Sequence, residues 1–291
     1  MLATNRFLLY IDILAFSQMT HTEPRKVARA YSILDSLNVH KHSAFKTIVF
    51  SDTVLVYNAA PVATSEERDY LVWYLIEFAE DLQHRFTGQD IYFRAVITTG
   101  SFSHYQLKNI ECFYGEALIN AYQREKTIPS IGLFIDSACN AHNKYFRTAP
   151  FDEHVHFVYL NRDLEYLDQY AAGVYPCVDP ALEDQVPHMP WQVRFLRDVY
   201  SQMRLNPDPA VRTKYLNAWD FYSRRYPAML HVLAQSNFSL SALAGRTAWE
   251  TESEVMLKDI KSFRRIGSGT TLSKQISAGA TAELKRGLKS K

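Results

Sequence analysis

The 291 residues carry 32 Lys and Arg against 31 Asp and Glu, a formal charge of +1, and 47% of them are hydrophobic. That length buries a sizeable core in one large domain or two small ones. The near-neutral balance gives no whole-molecule case for binding nucleic acid or an acidic membrane. Cys112, Cys139 and Cys177 are an odd number at unrelated spacings with no CxxC pair, which argues against disulfides and zinc and for a reducing cytoplasm.

From Met1 to Phe16 there is no basic n-region, and Asp12 interrupts the apolar run, so no signal peptide is expected. No apolar run approaches the roughly 20 residues of a membrane span, and a cytoplasmic protein is expected. Phe7 to Ile13 (FLLYIDI) reads as a short, fully buried strand. Thr22 as N-cap and Pro24 in the first turn, followed by Val27, Ala30, Tyr31 and Leu34, predict a helix to about Asn38. Two β-rich runs, Lys46 to Phe50 and Thr53 to Tyr57, predict a hairpin closed by Ser51-Asp52, a turn without the usual Gly. Thr64 and Glu67 form a capping box for a helix striped by Leu71, Leu75, Phe78 and Leu82 and ended by Gly88. Further on come a strand from Ile91 to Thr99, a helix from Glu116 to Lys126, and strands from Ile131 to Ile135 and Val155 to Leu160. The order β-α-β-β-α-β-α-β opens in the ferredoxin-like manner, so the expected class is α+β, an antiparallel-rich sheet with helices on one face.

Past about Gly173, four prolines (Pro176, Pro180, Pro187, Pro190) lead into helical segments at Trp191 to Met203, Ala210 to Gln235 with a break at Pro227, and Ser241 to Phe263. The expected division is a catalytic domain at 1–172, a C-terminal helical extension at 173–263, and a basic tail at 264–291 whose composition predicts disorder. That tail lacks interleaved aromatics and reads as solvated rather than nucleic-acid-binding.

Asp12 and Asp52 each end an apolar, β-branched-rich run. A carboxylate there is costly to bury unless a cation meets it, and two at adjacent strand ends suit hard divalent cations with oxygen ligands. A turn-capping role is the other reading of Asp52. On the helix from Glu116, Asn120 and Arg124 lie four apart on one face, either as donors to phosphate or ribose oxygens or as a solvent-facing polar pair. Phe50, two residues before Asp52, shares its strand face, as a platform for a base or as core. His154 and His156 lie two apart on a strand but lack a third ligand, so they read as structural. Tyr114 and Tyr122 read as core.

Together these segments resemble the class III nucleotidyl cyclase family. Tyr10-Ile11-Asp12-Ile13-Leu14-Ala15-Phe16-Ser17 is similar to its first metal motif, Phe50-Ser51-Asp52 to its second, Phe93 to Gly100 (FRAVITTG) to its central strand, and Asn120-xxx-Arg124 to its transition-state pair. The resemblance runs over roughly residues 5 to 137 in the family's order. It implies a ferredoxin-like class III cyclase core and a homodimer with sites at the subunit interface. Asp12, Ile13 and Asp52 of one chain would hold two divalent cations, Mg²⁺ or Mn²⁺. Asn120 and Arg124 of the other would be catalytic, with Phe50, Lys46 and Cys112 binding the base. The implied reaction is attack of a nucleoside triphosphate's 3′-hydroxyl on its α-phosphate, with loss of pyrophosphate.

Several positions depart from the adenylyl and guanylyl cyclases. Ala15 and Ser51 stand where Gly is usual, the Gly115-to-Asn120 spacing is one residue longer, and Ile48 takes the place of a base-reading Lys unless Lys46 reaches through a bulge. The Phe-Ser-Asp-Thr hairpin and the Gly-x-Ala-Leu-x-x-Ala-Tyr helix look more like the bacterial Pycsar antiphage cyclases. Those make cyclic UMP or cyclic CMP from UTP or CTP to activate a separate effector protein. The alternative is a catalytically inactive, cyclase-like nucleotide-binding or scaffold module. Neither nucleic acid nor membrane is an expected partner.

Overall fold

The middle of the first strand is apolar on both sides, and that places it inside the sheet. In the computed structural model, which describes residues 4–178, 182–244 and 249–265, β1 (Thr4–Ile13) buries Phe7, Leu9, Ile11 and Ile13 on one face and Leu8 and Tyr10 on the other. After α1 (Phe16–Thr22) and α2 (Pro24–Asp35) comes the hairpin β2 (Phe45–Phe50) and β3 (Thr53–Asn58), then α3 (Ser65–Phe86) and the long β4 (Phe93–Gln106). The chain continues through β5 (Glu111–Tyr114), α4 (Glu116–Thr127), β6 (Gly132–Asp136), the single turn α5 (Ser137–Asn140), β7 (Thr148–Pro150) and β8 (Val155–Val158). The C-terminal helices are α6 (Arg162–Ala171), α7 (Leu182–Gln185), α8 (Met189–Leu205), α9 (Pro209–Arg225), α10 (Pro227–Gln235) and α11 (Glu250–Arg265).

The strands lie in the order β2-β3-β1-β4-β6-β8-β7, with β5 paired to β4. The first four neighbours are antiparallel, the split βαβ arrangement expected of a ferredoxin-like core, and β6 joins β4 in parallel. The fold is thus α+β with a helical C-terminal region.

Helices α2 and α3 cover one face, through Ala30, Ile33, Leu34, Leu71, Val72 and Leu75 packed with the odd residues of β1. The expectation of helices on one face describes these two, but the second face is covered as well. There α4 lays Ala117 and Ala121 on Leu8 and Tyr10, and the C-terminal helices pack Phe195, Tyr215, Phe221 and Tyr222 against Val96, Phe134 and Phe157. Strands apolar on both sides demand this second layer. Gly115 lets α4 approach: at φ 149°, a Cβ there would stand 2.1 Å from the Ser101 carbonyl oxygen.

The capping box forms as expected, with the Glu67 amide on the Thr64 hydroxyl at 3.2 Å and the Glu67 carboxylate on the Thr64 amide. Thr22 does not cap α2; it closes α1, and Glu23 takes the cap ahead of Pro24. Tyr114 and Tyr122 are exposed rather than core. Among the described residues no helix is long and apolar enough to cross a membrane. Of the expected basic tail, Arg264 and Arg265 close α11, and 266–291 lie outside the described residues.

Candidate active site

Asp12 pairs directly with Thr53 of β3 on one side and Arg94 of β4 on the other. The Ile13 amide donates to the Asp52 carbonyl at 2.9 Å, which draws the hairpin turn onto the end of β1. Two left-handed residues make this geometry, Ser51 at φ 54° and Ala15 at φ 57°, the two places where Gly is usual in the resembled motifs. Holding non-glycine residues there costs on the order of 1 kcal/mol each, strain gathered around the two aspartates.

Burial pushes the Asp12 carboxyl above its ordinary range, Arg94 and Lys214 oppose the rise, and the charge on Asp52 adds to it. The two carboxylates therefore repel each other across the strand ends. Arg94 answers only part of that charge. Its Nη2 stands 3.4 Å from Asp12 Oδ2, but it also ion-pairs with Glu125, and its Nη1 donates to the Ile128 carbonyl at 2.5 Å. Arg94 and Glu125 are buried on β4 and α4 and went unnoticed in the sequence. The signal was present, since Arg94 interrupts an apolar strand as Asp12 does.

Regular pairing from Phe45↔Asn58 to Phe50↔Thr53 excludes a bulge in β2. Alternation therefore puts Lys46, Ile48 and Phe50 on the face that carries Thr53 and Asp12. Ile48 is buried, Lys46 exposed, and Phe50, at 72% exposure, is no core residue. Cys112 lies apart from Lys46 and Phe50. It pairs with Tyr105, on the face opposite His104 and Phe113, and it is Phe113 that packs with Leu8, Tyr10 and Ile48. On this face Tyr57 hydrogen-bonds His104 Nδ1, and His104 Nε2 meets Glu111 at 2.6 Å.

Asn120 is exposed on α4, and Arg124 Nη1 donates to the His154 carbonyl at 3.3 Å. Among the described residues no hydrogen bond or ion pair joins either one to Asp12 or Asp52, so a single chain does not assemble the four. The imidazole of His156 bonds Ser137 Oγ at 3.2 Å, and no group of three or more His, Cys, Asp or Glu among the described residues is placed to hold a metal.

Two adjacent carboxylates nonetheless suit a cation of the Mg²⁺ type, which takes one or two protein carboxylates and completes its shell with water and substrate phosphates. The mutual repulsion of Asp12 and Asp52 is what such an ion would relieve. Ile13 has its side chain in the core at 1% exposure, so only its carbonyl is available as a ligand.

The chain matches no protein-family profile and no curated relative. Solved structures do resemble it. A double mutant of the guanylyl cyclase domain of the RhoGC fusion protein from the aquatic fungus Blastocladiella emersonii is 18% identical, with a TM-score of 0.44 over 54% of this chain and 95% of that one. The guanylate cyclase domain of RhGC from Catenaria anguillulae, in complex with GTP, is 17% identical, with a TM-score of 0.43 over 54% and 97%. The adenylyl cyclase CyaB from P. aeruginosa is 10% identical, with a TM-score of 0.40 over 53% and 93%. Identity and TM-score are both too low for these likenesses to bear on what this chain does.

Proposed function

We propose that this chain is a nucleotidyl cyclase of the class III type, acting on a pyrimidine nucleoside triphosphate, UTP or CTP, to give the 3′,5′-cyclic monophosphate and pyrophosphate. The observation that carries the reading is the convergence of Asp12 and Asp52 on neighbouring strand ends, Asp12 half-buried and its charge raised in energy by that of Asp52. Ions held by Asp12, Asp52 and the Ile13 carbonyl would supply Lewis acidity and neutralise the triphosphate. The remaining work falls to the chain. Asp12 and Asp52 fix the phosphate end of the substrate, Phe50 offers an exposed ring for a base to stack on, and Asn120 and Arg124 of a second copy stabilise charge on the transferring phosphorus oxygens.

A second copy is supported by the surface. Phe50 on the hairpin, Leu107 and Ile110 on the β4–β5 arm, and Ile119 and Tyr122 on α4 are large apolar side chains left to solvent in one chain. A homodimer through these elements would cover them and bring Asn120 and Arg124 to the other chain's aspartates. We carry forward the division at about residue 172 between catalytic core and helical extension. We also keep the antiphage role, with a separate effector that reads the cyclic product. The test is purified protein with Mn²⁺ and each of the four ribonucleoside triphosphates, products identified by mass. Cyclic UMP or cyclic CMP is expected from wild type and none from Asp12→Asn. Binding of UTP without pyrophosphate release would favour the inactive scaffold instead.

A further inference from the structure

The C-terminal helices do more than pack against the sheet. Helix α9 lies along the segment between α4 and β6: the Lys214 carbonyl accepts from the Ile131 amide at 3.4 Å, and Asn217 Nδ2 donates to the Pro129 carbonyl at 2.6 Å. Tyr215 meets Tyr92 edge to face at 5.0 Å between ring centroids, and the Tyr92 carbonyl accepts from the Leu14 amide at 2.9 Å, two residues past Asp12. Ile131 precedes Gly132, which pairs with Arg94, which pairs with Asp12. Lys214 therefore sits over the strand ends that carry the carboxylates.

Lys214 is half-buried and forms no ion pair or side-chain hydrogen bond among the described residues, while Arg94 beside it is already committed to Glu125 and the Ile128 carbonyl. A half-buried lysine that has only the through-space attraction of Asp12 and Asp208 and no direct ion pair is held at a cost, and the cost is recovered when an anion binds. Asp12 and Asp52 do not serve as that anion when cations occupy them; a bound polyphosphate does.

We propose that Lys214 is a polyphosphate-binding residue of the nucleotide site, supplied by the C-terminal helices rather than by the sheet. This rests on the cyclase reading for the identity of the nucleotide, but not for the anion. The helical extension thereby becomes part of the site, and any displacement of α9 changes the affinity for substrate.

The experiment is calorimetric binding of inorganic tripolyphosphate with Mn²⁺ to the full chain, beside steady-state kinetics on UTP and CTP. Lys214→Met should weaken tripolyphosphate binding by roughly 10- to 100-fold and raise KM far more than it lowers kcat, with a melting temperature no lower than wild type. Lys214→Arg should restore most of the binding, and Lys258→Met, on the exposed side of α11, should change nothing. Binding by Lys214→Met within twofold of wild type, or no tripolyphosphate binding by wild type, overturns the inference. Turnover in wild type with a normal KM in Lys214→Met would sink this inference and leave the cyclase reading standing. Lys214-dependent binding of tripolyphosphate with no turnover of any nucleotide would do the reverse.

Discussion

Burial works against the charge of Asp12. Its folded pKa lies above the unfolded value, with burial as the largest cause, so its charge opposes folding as pH rises past the ordinary carboxylate range. Asp12→Asn keeps the shape and removes the charge. At pH 7 it should melt no lower than wild type while turnover falls by at least about 1,000-fold, the trade expected where function holds a destabilised group. Arg94 has the opposite character. Glu125 is 5% exposed and depends on it, so Arg94→Met should cost about 3–5 kcal/mol in denaturant unfolding, and Arg94→Met with Glu125→Met should recover most of that. Of the site, the aspartates were legible in sequence because an acid inside a β-branched run has few bland explanations. Arg94 and Glu125 are separated by 31 positions, and only the fold shows them as a pair. Lys214, the residue we propose for the polyphosphate, lies in a stretch with no motif, and the face that Cys112 takes on β5 cannot be read from a spacing.

Elements were read best where periodicity was long. The span of α3 follows from its capping box and apolar stripe, whereas β5 and β7, of four and three residues, carry too few positions for any period to show. Helix α1 has no counterpart in the sequence reading, whose first helix starts at Thr22 and Pro24; the left-handed Ala15 turns the chain early enough for a separate helix. Between α3 and α8 lies a cleft of about 530 Å³ whose lining includes His84 and Glu80, two groups shifted in opposite directions. Burial pushes His84, 4.0 Å from Trp191 between ring centroids, down to about 4, and Glu80 up to about 7. The folded pKa of His84 is below its unfolded one, so its share of stability is full above about pH 6.5 and is lost as pH falls toward 4. Glu80 is raised, so its share is full below about pH 4.5 and is lost as pH rises to 7. From pH 7 to pH 5 the two changes, about 2 kcal/mol each, cancel. From pH 7 to pH 5, Glu80→Gln should therefore lose about 2 kcal/mol more than wild type, read by urea unfolding at the two pH values.

For the whole molecule, the sheet has helices on both faces, and its second face carries two apolar clusters, α4 on Leu8 and Tyr10 and the C-terminal helices on Val96, Phe134 and Phe157. A chain built this way leaves Phe50, Ile110, Ile119 and Tyr122 outside every layer it makes, and a twin subunit is the cover we propose. Ile119→Glu should turn a dimer into a monomer in sedimentation and abolish turnover together with it. Mixing Asp12→Asn chains with Arg124→Ala chains, each inactive alone, should restore about a quarter of wild-type activity, because half the dimers are mixed and each has one intact site.

The most direct test of the account is mass analysis of the products formed from ATP, GTP, CTP and UTP with Mn²⁺, by wild type and by Asp12→Asn in parallel. The account predicts a cyclic pyrimidine monophosphate and pyrophosphate from wild type and neither from the variant. No cyclic product from any of the four, or a yield that Asp12→Asn leaves untouched, would contradict it.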